Sequence, residues 1–276
     1  MPSYRYRVVD VFTKTPLEGN PLAVFPEPAD LDGETMQRIA RELNLSETAF
    51  IVSATRPGCE VGVRIFTPVR EMVFAGHPTI GTSWVLLDER MVASPRFVLD
   101  EKVGPVPIRV DEQALIWLTT PPLTFGATYD RGVCAHALGL DTGDLLEIAP
   151  QKVGTGNAHV FVAVRNRDAV DRAWLQSPIE GPTSVFVFTP EPAGAYSRMF
   201  AHHHGVIEDP ATGSATGPLA AFMIRHRLAS GADGTRLISE QGVKMGRRSI
   251  LHILVEGVTI EVGGHVTPLV EATMRF

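Results

Sequence analysis

The chain has 276 residues, 44% of them hydrophobic and 20% charged, which is enough for a substantial core and enough length for two domains. A formal net charge of -6, with no basic cluster beyond Arg247-Arg248, argues against a nucleic-acid surface. Two cysteines, Cys59 and Cys134, without CxxC spacing suggest neither a disulfide framework nor a thiolate metal site; with no signal-like leader and no apolar run of membrane-spanning length, the reading is a cytoplasmic protein.

From the N-terminus, residues 4–12 alternate polar and apolar side chains as a strand does. Residues 31–43 form an amphipathic helix with Met36, Ile39, Ala40 and Leu43 on one stripe, Asp32 as N-cap and Asn44 as a left-handed stop. Strands follow at 49–52, 61–66, 97–100 and 114–118, then at 159–164, 184–188, 249–255 and 265–274, each rich in β-branched or aromatic residues and bounded by Gly, Pro or Asp. Two further helices, through Thr82-Ser83-Trp84-Val85-Leu86-Leu87 and Leu219-Ala220-Ala221-Phe222-Met223-Ile224, are apolar nearly all round and must be enclosed. The proline pair in Thr119-Thr120-Pro121-Pro122 marks a boundary between 1–118 and 119–276, with the strand at 265–276 free to cross back and complete the first domain.

The chain also repeats itself. Gly19-Asn20-Pro21-Leu22-Ala23-Val24-Phe25 is echoed by Gly156-Asn157-Ala158-His159-Val160-Phe161-Val162, and Phe66-Thr67-Pro68 by Met199-Phe200-Ala201. Phe74-Ala75-Gly76-His77-Pro78-Thr79-Ile80-Gly81 and Glu208-Asp209-Pro210-Ala211-Thr212-Gly213-Ser214-Ala215 each place small and hydroxyl residues before an enclosed helix. The pattern predicts an α+β chain of two similar domains from an internal duplication, each a curved sheet wrapped around a central apolar helix.

A helix start rich in Gly, Ser and Thr presents uncapped N–H groups and the positive end of the macrodipole, so Gly76, Thr212, Gly213 and Ser214 are candidate donors to a carboxylate. The bland alternative is that these residues only permit tight turns. Glu47, between the amphipathic helix and an apolar strand, reads either as a solvated helix-exit residue or as a partly desolvated acid/base. Asp209 reads equally as an N-cap, whereas the equivalent His77 has no capping role; a site shared by two helix starts accounts for both.

Other motifs carry less. Gly154-Thr155-Gly156 begins like a dinucleotide fingerprint, but His159 stands where the third Gly belongs. His202-His203-His204, read on a strand, cannot all face one ion, so no metal site is assigned. Cys59 and Cys134 read as buried small apolar residues, and the Asn44-Leu45-Ser46 sequon is idle in a cytoplasmic protein.

Gly19-Asn20-Pro21, Asn44-Leu45-Ser46-Glu47-Thr48, Phe66-Thr67-Pro68, Phe74-Ala75-Gly76-His77-Pro78-Thr79 and Glu208-Asp209-Pro210-Ala211-Thr212-Gly213-Ser214-Ala215, in this order, resemble the signature blocks of the PhzF-like phenazine-biosynthesis family. The resemblance implies a diaminopimelate-epimerase-like fold of two mostly antiparallel half-barrels with the active site in the cleft between them, and a homodimer. It implies an isomerase that needs no cofactor and acts on a small carboxylated, cyclic metabolite such as trans-2,3-dihydro-3-hydroxyanthranilate. Glu47 would be the general acid/base, His77 and Asp209 would bind and polarise the substrate, and Gly76, Gly213 and Ser214 would hold its polar groups. Neither motif loop contains a thiol, which excludes the two-cysteine racemisation of related epimerases. An epimerase with a non-thiol base pair and a non-catalytic binding protein are the rival readings.

Overall fold

The computed structural model describes residues 1–28, 31–155, 157–181 and 183–276, with only the backbone described at His204. Two compact units form, Met1–Thr119 with Gly263–Phe276, and Thr120–Val262.

In the first unit, β1 (Ser3–Val11), β2 (Asn20–Phe25), α1 (Gly33–Leu43), β3 (Glu47–Val52), β4 (Val61–Phe66), β5 (Glu71–Met72), α2 (Gly76–Asp88), β6 (Arg96–Glu101), β7 (Gly104–Val110) and β8 (Ile116–Thr119) follow in order. Strands β2 and β3 are parallel, as are β4 and β6, and the other pairings are antiparallel. Helix α1 starts as expected: Asp32 accepts from the Thr35 N–H at 2.8 Å, and Asn44 ends the helix at φ 50°. Its stripe of Met36, Ile39 and Ala40 packs on Phe25, Phe50 and Phe66, which point to one face of the sheet. Side chains alternate across a strand, so Leu22, Glu47 and Ala49 point to the opposite face, toward α2. Nearly every α2 residue from Gly76 to Leu86 is buried, and the helix touches β1, β2, β3 and β8. Gly81 permits that approach: a Cβ there would lie 2.6 Å from Leu22 Cδ2 and 2.8 Å from Val11 Cγ2.

The second unit contains β9 (Thr124–Thr128), α3 (Arg131–Ala137), β10 (Gln151–Thr155), β11 (Asn157–Ala163), α4 (Arg167–Arg172), β12 (Ser184–Glu191), β13 (Gly194–Ala201), β14 (Val206–Asp209), α5 (Gly213–Arg225), β15 (Thr235–Gln241), β16 (Ser249–Glu256) and, as far as Val262, β17 (Thr259–Gly264). Strand β18 (Val266–Arg275) returns to the first unit and pairs antiparallel with β1, Ser3 opposite Arg275. In the second sheet Val160, Val162, Val185 and Val187 pack on α3 and α4, while Phe161, Ala163, Phe186 and Phe188 pack on Leu219 and Phe222 of α5. Helix α5 is buried from Gly213 through Ala220.

The pairing register of one unit recurs in the other. Leu22 lies opposite Glu47 in a parallel pair, and His159 lies opposite Ser184 in another. Antiparallel pairs Thr48–Phe66 and Ile65–Met72 correspond to Val185–Phe200 and Met199–Asp209. Parallel pair Val61–Leu99 corresponds to Ala195–Ser239. Helices α2 and α5 then begin four residues after Met72 and Asp209, and each has 13 residues. The register therefore aligns Glu47 with Ser184, Leu22 with His159, Glu101 with Gln241, and His77 with Ser214 rather than with Asp209, whose counterpart is Met72. It aligns Phe66 with Phe200, one residue beyond the echo read from sequence. Gly156 of the first echo lies outside the described residues.

Three expectations need correction. His202–His204 form a single 3-10 turn between β13 and β14 and are not on a strand, because the chain must reverse there through Gly205 at φ 78°. Cys134 is fully buried, but Cys59 is only half-buried, in the turn that joins β3 to β4. Asp209 is not the N-cap of the following helix; that place falls to Thr212. Among the described residues no helix is long and apolar enough to cross a membrane.

Candidate active site

The first constellation is built on the start of α2. Ala75 precedes the helix in extended conformation and supplies no side-chain cap, so the first-turn N–H groups at Gly76 and beyond keep their positive field. His77, the second helical residue, is 3% exposed, and burial pushes its imidazole down to about 3. Strands β2 and β3 bring Asn20 and Glu47 to it, since both side chains stand on the α2 face at the beginning of adjacent parallel strands. Asn20 Nδ2 is 3.2 Å and Glu47 Oε2 3.4 Å from His77 Nδ1. The ring is neutral, so the Glu47 contact is between a carboxyl group and a neutral imidazole rather than an ion pair. The Glu47 side chain is only 15% exposed, so the solvated helix-exit reading fails. His77 Nε2 is buried and has no hydrogen-bond partner among the described residues.

Behind this turn, the Thr79 hydroxyl lies 2.8 Å from the Ala75 carbonyl and 2.5 Å from Glu101 Oε1. Glu101 is 1% exposed, and burial pushes its carboxyl up to about 8. A hydroxyl has one proton to give and a carbonyl can only accept. Thr79 therefore donates to Ala75 and accepts from Glu101, which fits a protonated Glu101.

The second constellation is built on the start of α5. The Thr212 hydroxyl donates to Asp209 Oδ2 at 2.5 Å, and the Gln241 amide donates to the Asp209 carbonyl at 2.7 Å. Gln241 also accepts from the Thr212 N–H at 3.1 Å, so one amide fixes the loop on both sides of Pro210-Ala211. Asp209, Thr212 and Ser214 are each at least nine-tenths buried, and Gly213 opens the helix without a side-chain cap before it. Neighbouring Glu208 is bound to Arg198 at 2.8 Å in a buried pair and takes a structural role.

The structure thus brings Glu47, His77 and Gly76 together, and Asp209, Thr212, Gly213 and Ser214 together. Sequence reading missed Asn20 and Gln241 as partners of these groups. Asn20 was signalled by the repeated Gly-Asn pair, whereas Gln241, 29 residues beyond Thr212, had no local signal.

With that geometry in place, similarity to known proteins becomes informative. The model of the phenazine biosynthesis-like protein family, PhzC-PhzF, matches residues 9–272. A trans-2,3-dihydro-3-hydroxyanthranilate isomerase of Pseudomonas aeruginosa is 37% identical over 277 residues, covering 95% of this chain and 96% of that protein. The isomerase of the same name from Pseudomonas fluorescens is 35% identical, with 95% and 96% covered. Among solved structures, a PhzF-family phenazine biosynthesis protein of Bacillus anthracis matches with TM-score 0.86 at 25% identity over all of both chains. A protein of Pseudomonas aeruginosa titled a predicted epimerase matches with TM-score 0.85 at 31% identity over 99% of each. By sequence, fold and the residues at the two helix starts, the chain belongs to the phenazine biosynthesis-like PhzC-PhzF family and is an isomerase.

Proposed function

We propose that this isomerase shifts a proton within a small carboxylated, cyclic metabolite similar to trans-2,3-dihydro-3-hydroxyanthranilate, with Glu47 as the only general acid/base. The observation that carries the reading is the largely buried Glu47 carboxyl beside a neutral His77, 3.4 Å apart. Such a carboxylate can take a proton from one carbon and, after exchange of that proton with solvent, return one to another carbon on the same face. His77 and Asp209 bind and polarise the substrate. Gly76, Gly213 and Ser214 offer donors where negative charge develops during the transfer, while Thr212, its N–H and hydroxyl committed to Gln241 and Asp209, holds the loop that presents them.

The tautomer of His77 is set by Asn20 in this scheme. An amide nitrogen only donates, so Nδ1 accepts from Asn20 at 3.2 Å, and Nε2 carries the ring hydrogen and is a donor to the substrate. An epimerase that pairs Glu47 with His77 as second base is disfavoured, because an imidazole pushed down to about 3 is a weak base at neutral pH.

The test is incubation with dihydro-hydroxyanthranilate and a panel of carboxylated dienes and amino acids in heavy water, read by NMR. Deuterium at a carbon one conjugation step away, with the double bond moved, supports the proposal. Deuterium at a stereocentre with inversion supports epimerisation instead. Ligand binding without any incorporation leaves a binding protein.

A further inference from the structure

Four polar atoms on three neighbouring side chains of the second unit have no hydrogen-bond partner among the described residues: Thr155 Oγ1, both ring nitrogens of His159, and Ser184 Oγ. These residues are 0%, 4% and 1% exposed, respectively. Buried polar groups are ordinarily paired, because an unpaired one forfeits its hydration for nothing. Three such side chains side by side therefore need an occupant.

Register places them on one surface. Val153 lies opposite His159 and Thr155 opposite Asn157 in an antiparallel pair, and His159 lies opposite Ser184 in a parallel pair. Alternation then puts Thr155, His159 and Ser184 on the face that carries Val153, Phe161 and Phe186 against α5. The cluster is the polar continuation of an apolar core, and the half-exposed Asn157 and Ala158 mark its open edge. In the first unit His77 meets Asn20 and Gly81 abuts Leu22. The same offsets, carried over from the first unit, would set Ser214 by Asn157 and Pro218 by His159, in keeping with Phe222, which stacks on Phe161 with ring centroids 5.9 Å apart. The cluster thus lies under the first turns of α5. Ser184 occupies the register position that Glu47 holds in the first unit, and His159 that of Leu22.

We propose that Thr155, His159 and Ser184 form a subsite that receives a carboxylate of the ligand. Two hydroxyls and one ring N–H can all donate to one anion, and the positive charge of Lys152 acts on the same ring. Burial, with that charge, holds His159 neutral until an anion arrives. An anion seated against the ring favours its protonated form, so binding takes up one proton from solvent onto His159. The inference rests on the proposed function only in taking the ligand to be a carboxylate.

The test uses the full-length protein with anthranilate and its neutral counterpart anthranilamide. Binding is followed by calorimetry in buffers of differing ionisation heat, and the histidine ring nitrogens by NMR. Anthranilate is expected to bind with proton uptake and to move the His159 nitrogens to imidazolium positions, and anthranilamide to do neither. Affinity for anthranilate should fall by about tenfold in both His159→Gln and the Thr155→Val/Ser184→Ala double variant, the scale of a lost charge-assisted hydrogen bond. The double variant keeps the ring as reporter should His159→Gln fail to fold. Equal binding of the two ligands, anthranilate binding with the His159 ring unchanged, or no anthranilate binding at all overturns the proposal. Neither readout requires turnover. Loss of isomerisation with proton uptake retained therefore counts against the proposed function and not against the subsite.

Discussion

Glu101→Gln is the substitution whose consequence can be worked furthest from the structure. The carboxyl is held neutral up to about 8 against an ordinary 4.5, chiefly by burial, and is bonded to Thr79 at 2.5 Å. The folded protein therefore binds this proton more tightly than the unfolded chain. Its contribution is fully present below about pH 4.5, is lost as pH rises, and is exhausted above about pH 8. At about 1.4 kcal/mol per pH unit, the whole loss is on the order of 5 kcal/mol, and roughly 3 kcal/mol of it has gone by neutrality. Of the neighbouring charges, Arg56 donates to its carbonyl oxygen at 2.6 Å and also binds Asp100, while Lys102 and Arg64 are engaged with Glu71. A glutamine amide can donate to Thr79 as the protonated acid does and does not titrate. Gln241 already occupies the aligned position of the second unit, fully buried. Denaturant unfolding of both proteins from about pH 5 to about pH 9 should show Glu101→Gln gaining on the wild type by about 1.4 kcal/mol per pH unit up to about pH 8, then levelling. A stability difference that stays flat over that range refutes the buried neutral acid.

Other consequences are checked more simply. His77, pushed down to about 3, should show neutral ring nitrogens by NMR from about pH 5 to about pH 8, and its contribution to stability should be lost only as pH falls from 6.5 toward 3; an imidazolium signal at neutral pH contradicts this. Gly81→Ala should destabilise by about 1–3 kcal/mol, although the same change in an open helix stabilises by up to about 1 kcal/mol, because the new Cβ meets Leu22 at 2.6 Å. A stabilised variant in thermal unfolding would mean that the α2 approach has slack. Burial pushes the Cys134 thiol up to about 12, while Cys59 is half-exposed; iodoacetamide at alkaline pH should therefore label Cys59 in the native protein and Cys134 only after unfolding, as mass spectrometry can show.

What was legible in the sequence was whatever has a local cause. Helix α1 was readable at both ends because Asp32 and Asn44 act within a few residues of themselves, and α2 and α5 because an all-apolar helix has to be enclosed. Helices α3 and α4, of 7 and 6 residues, are too short for periodicity to register, although Asp130 and Asn166 cap them. Strand β13 is buried along its whole length, so it lacks the alternation that marks a half-exposed strand. The roles of Glu47, His77 and Asp209 came from family resemblance, since the residues alone allowed a solvated glutamate and a capping aspartate. Glu101 was hidden because Asp100-Glu101-Lys102 reads as a solvated hairpin turn, and only the packing of β6 against α2 buries its carboxyl. The Thr155, His159 and Ser184 cluster belongs to the same class: three strands assemble it, and no short stretch of chain contains it.

The central claim is that one carboxylate carries the proton, and Glu47→Gln tests it most directly. Deuterium incorporation into dihydro-hydroxyanthranilate in heavy water should fall by orders of magnitude in the variant, while affinity for anthranilate and the thermal midpoint stay near wild type. Incorporation at the wild-type rate in a folded Glu47→Gln protein would show that another group moves the proton.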